Sequence, residues 1–220
     1  LETLRRLGFD VPRWPTRRHM IFALLRLATL TKQRSLEALA CGAPTVLIAP
    51  ARSDEMRQMR SVDVLHMTPL HARRLLAALP ADAPPAFPEH LRMVVASATS
   101  VAALRAEMRQ RLSPNLWIPY SANEVGLVSV ARPDEVARTP DTVGRPVAGV
   151  MQRVVDDAGR TLPPGITGHI RVRSPGMIAG YLDDDDASAR VFRDGWFHPG
   201  DMGERTADGT LILRGRSDDM

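Results

Sequence analysis

Short apolar runs alternate with helix-like segments through the first 120 residues, and this alternation constrains the fold more than any other feature of the sequence. The strand-like runs lie at residues 45–48, 62–65, 93–96 and 116–118, and the helix-like segments at 20–40, 53–59, 70–79 and 100–112. Strands that alternate with helices favour a parallel sheet with helices on its faces. We therefore predict an α/β subdomain over residues 1–120.

The pattern changes after Tyr120. Turns rich in Gly, Pro and Asp now separate strand-like runs at residues 125–131, 147–155, 169–172 and 210–213, and no helix is predicted. A set of short strands without helices is typical of a small sandwich or barrel. We predict a β-rich subdomain over residues 121–220, built as a distorted barrel and packed against the first. The acidic run at residues 183–186 is interpreted as a solvated loop.

The charged residues limit the chemistry and the partners. Lys32 is the only lysine among 29 basic residues, so a Schiff base or a lysine-dependent phosphate site would have to use it. The formal net charge is +4, but the basic residues are not interleaved with aromatic ones, and we predict no nucleic-acid partner. Hydrophobic residues at 44% and charged residues at 25% are typical of an ordinary globular protein.

Membrane and redox features are equally restrictive. The longest apolar window, residues 20–30, contains Arg26 and is too short to span a bilayer. Cys41 is the only cysteine, so no internal disulfide can form, and we expect a cytoplasmic protein. No pair of the six histidines has the zinc spacing with an intervening Glu, and no G-x-S-x-G elbow is present. These absences argue against a histidine metal site and a hydrolase triad.

Three separated segments carry the remaining functional signal. They are Tyr120-Ser-Ala-Asn-Glu124, Gly195-Trp-Phe-His-Pro-Gly-Asp201 and Gly215-Arg-Ser-Asp-Asp219, with Gly144-x-Pro146 and Gly168-His-Ile-Arg-Val172 between them. In this order they resemble the adenylate-forming enzymes: acyl- and aryl-CoA synthetases, luciferases and the adenylation domains of peptide synthetases. The resemblance covers essentially the whole chain, as the latter part of that family's large N-terminal domain. Residues 1–120 would then be the acyl and adenine side, and residues 121–220 would end at the interdomain hinge.

The resemblance implies roles for residues of the first segment. Tyr120 would stack on adenine, Asn123 would contact phosphate, and Glu124 would hold Mg²⁺. An aromatic face suits a purine, and a carboxylate is a hard ligand suited to magnesium. Ser121 and Asn123 replace the usual Gly and Thr, although an amide can still donate a hydrogen bond to phosphate.

The other segments would bind the rest of the nucleotide. By resemblance, Asp201 accepts from the ribose hydroxyls, Arg216 reaches the same ribose, and Asp218 is the hinge residue. The small residues Ser97, Ala98 and Thr99 correspond to the segment that lies along adenine. Pro199 stands where Thr is common, which removes a hydroxyl and a backbone donor. Trp196 and Phe197 are expected to pack under the turn rather than touch ligand.

The chain is expected to be a fragment, because it starts at Leu1 and stops directly after a strand-like run. The family's phosphate loop would precede Leu1 and its C-terminal lysine would follow Met220, so the fragment alone should be a poor catalyst. The implied activity is that of an ATP-dependent ligase that forms an acyl adenylate from a small-molecule carboxylate and passes the acyl group to coenzyme A. The alternatives are a peptide-synthetase adenylation domain, which would use a carrier protein, and a non-catalytic nucleotide-binding fragment.

Overall fold

The computed structural model describes residues 19–22, 45–48 and 62–217, and the chain divides into two compact units, Leu1–Trp117 and Ile118–Met220. The predicted boundary after residue 120 and the roles given to its two sides stay predictions. Within the described residues, no helix is long and apolar enough to cross a membrane.

The first unit contains a parallel sheet, as the alternating pattern predicts. Its strands run in the order β2-β1-β3-β4-β5 and every pairing is parallel. They are β1 His19–Phe22, β2 Thr45–Ile48, β3 Val64–Met67, β4 Arg92–Val95 and the first residues of β5 Leu116–Ala122. Two helices, α1 Pro69–Ala78 and α2 Ala102–Arg111, follow β3 and β4.

The prediction of a helix over residues 20–40 is wrong at its first residues. The structure places β1 where the helix over residues 20–40 was expected to begin, because β1 pairs with strands on both its edges. A short apolar run does not distinguish a buried strand from a helix by periodicity. The rest of that segment, like the helix predicted over residues 53–59, lies outside the described residues.

Apolar side chains and a capping box stabilise the first unit. Thr68 caps α1: its hydroxyl accepts from the main-chain N–H of His71 at 3.4 Å, and its own N–H donates to His71 Nδ1 at 3.1 Å. This reciprocal arrangement satisfies donors that the helix start leaves free. The fully buried core side chains include Leu65, Leu91, Met93, Met108, Leu112 and Leu116.

The second unit is an antiparallel sheet, in agreement with the predicted β-rich texture. Its strands follow the order β10-β11-β9-β12-β13-β7-β6-β5, with β8 on the other edge of β9. They are the end of β5, β6 Gly126–Ala131, β7 Thr142–Pro146, β8 Met151–Val155, β9 Gly168–Arg173, β10 Phe192–Arg193, β11 Trp196–Phe197, β12 Asp201–Arg205 and β13 Leu211–Arg216. Within residues 118–217 no pairing closes this sheet, so the unit is an open form of the predicted barrel.

The expectation that no helix follows Tyr120 is wrong. The unit contains α3 Pro133–Arg138 and α4 Asp185–Val191. At α3 the Glu135 carboxylate accepts from the main-chain N–H of Arg132 at 2.9 Å, and at α4 Asp184 accepts from that of Ala187 at 2.9 Å. Helices of six or seven residues are too short to show an apolar stripe, so their caps were the only local signal. The acidic run is exposed, as predicted, but it starts α4 instead of forming a loop.

A β-bulge sets the register between β12 and β13. Gly203 pairs with Leu213, but the next residue back, Met202, pairs with Gly215, so Arg214 is the extra residue. Gly215 has a φ of +127°, in the region that favours glycine. The bulge places Arg216 directly opposite Asp201.

Candidate functional site

The Asp201 carboxylate of the second unit is bound on both of its oxygens. The Tyr120 hydroxyl at the end of β5 donates to Oδ2 at 2.5 Å, and Arg216 Nη1 at the end of β13 donates to Oδ1 at 3.5 Å. The structure therefore brings together three residues that the motif order had singled out.

The surroundings of Tyr120 favour the neutral phenol. Tyr120 is only 8% exposed, and burial together with the charge of Asp201 raises the pKa of its phenol, although Arg216 acts in the opposite direction. The phenol therefore stays a hydrogen-bond donor at neutral pH. Asp201 and Arg216 are more open, with side-chain exposures of 19% and 52%, so a polar ligand can still reach the carboxylate.

The glycine before Asp201 makes room for Arg216. Gly200 has a φ of +78°, and a Cβ there would lie 2.9 Å from Arg216 Nη2. The Gly200 carbonyl accepts from the main-chain N–H and the hydroxyl of Ser217, at 2.8 and 3.1 Å. These contacts attach the end of β13 to the segment that carries Asp201.

Glu124 and Asn123 lie in the turn between β5 and β6. The turn is closed by the Val125 N–H, which donates to the Ala122 carbonyl at 3.3 Å. Asn123 is exposed and Glu124 is half-buried. Glu124 Oε1 accepts from the Tyr181 hydroxyl at 2.8 Å, and within residues 62–217 no cationic side chain pairs with this carboxylate. Glu124 therefore keeps an oxygen for a further ligand.

Tyr181 is the residue of this site that sequence reasoning missed. It lies 57 residues after Glu124, so no local pattern connects the two. Burial and the hydrogen bond to Glu124 raise the pKa of its phenol. The one available signal was an aromatic residue directly after Gly180, in a connection between elements, where an aromatic residue needs a packing or binding role.

The remaining predicted site residues lie elsewhere or outside the described residues. Ser97, Ala98 and Thr99 form an exposed segment after β4 in the first unit. Ser97 has a φ of +70°, a left-handed conformation that usually belongs to glycine. Asp218 lies outside the described residues.

Trp196 and Phe197 pack inside the second unit, as expected. They are 8% and 3% exposed, and the guanidinium groups of Arg153 and Arg171 lie 5.1 and 4.6 Å from the Trp196 ring. Burial, together with Arg193 and Arg171, lowers the pKa of nearby His198, which favours the neutral imidazole. These residues support the segment that leads to Asp201.

The site offers two carboxylates in different surroundings. Within the described residues no group of three or more His, Cys, Asp or Glu side chains could hold a metal ion. The site has instead one half-buried carboxylate in a turn and, within the same unit, a second carboxylate fixed by a phenol and a guanidinium.

Comparison with known proteins gives a family match over most of the chain. The model of the family described as AMP-binding enzyme matches residues 21–182. Indoleacetate–CoA ligase from Aromatoleum aromaticum is 35% identical over 131 residues, which cover 59% of this chain and 26% of that protein. 3-Hydroxybenzoate–CoA ligase from Aromatoleum sp. is 31% identical over 188 residues, which cover 83% of this chain and 35% of that protein.

A solved structure shows the same fold. The amide bond synthetase McbA from Marinactinospora thermotolerans superposes with a TM-score of 0.80 at 28% sequence identity, over 93% of this chain and 42% of McbA. The chain thus spans about a quarter to a third of the length of the two curated relatives and less than half of this structural neighbour. The predicted fold class, a mixed α/β region of an adenylate-forming N-terminal domain, is confirmed.

Proposed function

The chain belongs to the AMP-binding enzyme family, and from this premise we propose that it contributes the adenosine- and magnesium-binding part of an ATP-dependent, carboxylate-activating ligase. One observation carries the proposal: Asp201 is held on one side by Tyr120 and on the other by Arg216. A fixed carboxylate with free lone pairs is suited to accept hydrogen bonds from a cis-diol.

In this proposal Asp201 binds the ribose and its two partners orient it. Each carboxylate oxygen already accepts one hydrogen bond and retains capacity for another. Tyr120 would lie beside adenine while its hydroxyl holds Asp201, so one side chain would couple the positions of base and sugar. Arg216 offsets the negative charge of Asp201 and would reach the same ribose. The adenine role of Ser97, Ala98 and Thr99, which lie in the first unit, stays a prediction of the resemblance.

Glu124 fits a magnesium ion that is held mainly by phosphates. Magnesium in nucleotide sites is commonly bound by one or two carboxylates together with phosphate oxygens and water. Glu124 supplies one hard carboxylate oxygen without a cationic partner in residues 62–217, and Asn123 would donate to phosphate. When bound, the ion would neutralise phosphate charge.

The chemistry would have two steps. A carboxylate oxygen attacks the α-phosphorus of ATP, the bond to pyrophosphate breaks, and acyl-AMP forms. A thiolate then attacks the acyl carbonyl and AMP leaves with the bonding electron pair. The residues of this chain contribute by holding adenosine so that the α-phosphorus stays in line with the attacking oxygen. Asp218 would be the hinge between the two steps.

The names of the relatives support coenzyme A as the acceptor thiol and aromatic carboxylates as the first substrates to test. Both CoA ligases named above act, by their names, on aromatic acids. A cytoplasmic location belongs to the same proposal.

The role of Asp201 is tested by calorimetric titration of the chain with AMP. We expect Asp201→Asn to weaken AMP binding by at least about tenfold, since an amide loses one acceptor oxygen and the negative charge. The matched control is Asp208→Asn. Asp208 lies in the turn after β12, and it is an exposed aspartate that pairs with Arg145. Equal AMP affinities for the wild-type chain and Asp201→Asn would refute the ribose role.

A further inference from the structure

We propose that Tyr181 is a positioning residue, which fixes the Glu124 carboxylate for a nucleotide-bound cation; this inference rests on the proposed function. The connection after β9 is attached to the Glu124 turn by three hydrogen bonds. Ser174 Oγ donates to the Val125 carbonyl at 2.8 Å, the Ile178 N–H donates to the Glu124 carbonyl at 3.0 Å, and the Tyr181 hydroxyl donates to Glu124 Oε1 at 2.8 Å.

Only the third bond reaches a side chain of the site. The first two hold the backbone of the turn and do not involve Tyr181. The Tyr181 bond limits rotation of the Glu124 carboxylate and occupies Oε1. Within the described residues Oε2 accepts no hydrogen bond, so it is the less engaged oxygen for a cation. Such second partners of metal ligands commonly orient them, and their loss weakens metal binding by about 10- to 100-fold.

Tyr181 is itself held in place from two sides. Its main-chain N–H donates to Ser188 Oγ at 2.7 Å, and that hydroxyl donates at 2.7 Å to the carbonyl of Asp184, the residue that caps the start of α4. Its ring packs edge-on against Phe192, with centroids 5.7 Å apart. A Cβ at Gly180 would lie 2.9 Å from Ser188 Oγ, so glycine permits this close approach. These contacts restrict the position of the Tyr181 side chain whose hydroxyl bonds to Glu124.

The test compares ATP binding with and without Mn²⁺, used as the probe cation, by calorimetric titration of the 220-residue chain. The quantity of interest is the ratio of the two affinities, because a purely structural role would change both affinities together. We expect Mn²⁺ to tighten ATP binding in the wild-type chain and Glu124→Ala to abolish this gain. Tyr181→Phe should reduce the gain by at least about tenfold, with metal-free ATP binding unchanged.

Tyr120→Phe is the matched control, because it removes the same hydroxyl from a tyrosine bonded to Asp201. It should weaken ATP binding equally with and without Mn²⁺, so the ratio stays that of the wild type. If Tyr181→Phe does not fold, Ser188→Ala removes the support of Tyr181 and should lower the ratio in the same direction.

The outcomes separate this inference from the proposed function. If Glu124→Ala abolishes the gain from Mn²⁺ but Tyr181→Phe keeps the wild-type ratio, the role of Tyr181 alone is overturned. Ser188→Ala replaces Tyr181→Phe in this comparison where that variant is needed. A ratio that Glu124→Ala leaves unchanged, or a wild-type chain without any gain from Mn²⁺, overturns the metal role of Glu124 and the role of Tyr181 with it.

Discussion

Gly144 in β7 is the glycine, among those that the structure describes, where an added Cβ would come nearest to a neighbouring atom. Its φ is +78°, and a Cβ there would lie 2.0 Å from the Val130 carbonyl oxygen on the neighbouring strand β6. Gly126 provides a matched control, because its φ of +76° is nearly the same and a Cβ there would meet nothing within 4 Å. The two Gly→Ala variants therefore share the backbone strain and differ in the steric clash.

The magnitudes follow from these two contributions. A left-handed alanine costs roughly 1–2 kcal/mol, and the lower entropy of the unfolded alanine chain offsets about 0.4–1 kcal/mol of this. Gly126→Ala should therefore lower the free energy of unfolding by about 1 kcal/mol. Gly144→Ala must also move backbone by more than about 1 Å inside a sheet, which adds roughly 2–3 kcal/mol. β7 also pairs with β13, so the same shift should weaken AMP binding through Arg216.

Urea unfolding followed by circular dichroism measures both variants. At equal m-values, the difference in midpoint gives the difference in free energy. We expect Gly144→Ala to be less stable than Gly126→Ala by at least about 2 kcal/mol. Midpoints that agree to within the equivalent of about 0.5 kcal/mol would show that β7 does not approach β6 at residue 144 as described.

Two further predictions concern buried polar side chains. Gln152 is 7% exposed, and within the described residues neither of its amide atoms has a hydrogen-bond partner. Gln152→Met should therefore raise stability by about 1–3 kcal/mol, whereas Gln110→Met on the exposed face of α2 should not. A lower melting temperature for Gln152→Met would contradict this prediction. Burial and Arg74 lower the pKa of His71 from 6.5 to about 4. The unfolded chain therefore binds more protons between these values, and stability should fall by at most about 3 kcal/mol as the pH drops from 6.5 to 4. Urea midpoints across this range should show a shallower slope for His71→Gln, and an unchanged slope would refute the assignment.

Local patterns predicted the parts of this fold that repeat along the chain. The strand Thr45–Ile48 has the predicted bounds, and the parallel pairing of the first unit follows from the alternation of strands and helices. Strand β12 escaped prediction because Gly203 and its charged neighbours interrupt any apolar alternation. Its place in the sheet is set by pairing with β9 and β13, which a local pattern does not report.

The candidate site was predictable only through the order of its motifs. Tyr120 and Asp201 are 81 residues apart, and neither apolar periodicity nor turn chemistry indicates their hydrogen bond. Tyr181 belongs to none of the quoted motifs and was therefore missed. The φ of +70° at Ser97 could not be predicted either, because a residue other than glycine seldom has this backbone conformation.

The bulge at Arg214 has a consequence for aligning this hairpin with related chains. If the pairing near the turn continued without a bulge, Asp201 would lie opposite Gly215. The additional residue makes Arg216 the residue opposite Asp201. A homologue without that residue would have its arginine one place nearer the turn and still opposite the aspartate. An ungapped alignment would then mark the arginine as lost although its place in space was preserved. Alignments across this hairpin should therefore match residues by their pairing between the strands and not by their position in the sequence. A transfer of the Asp–Arg pair to another scaffold must include the bulge.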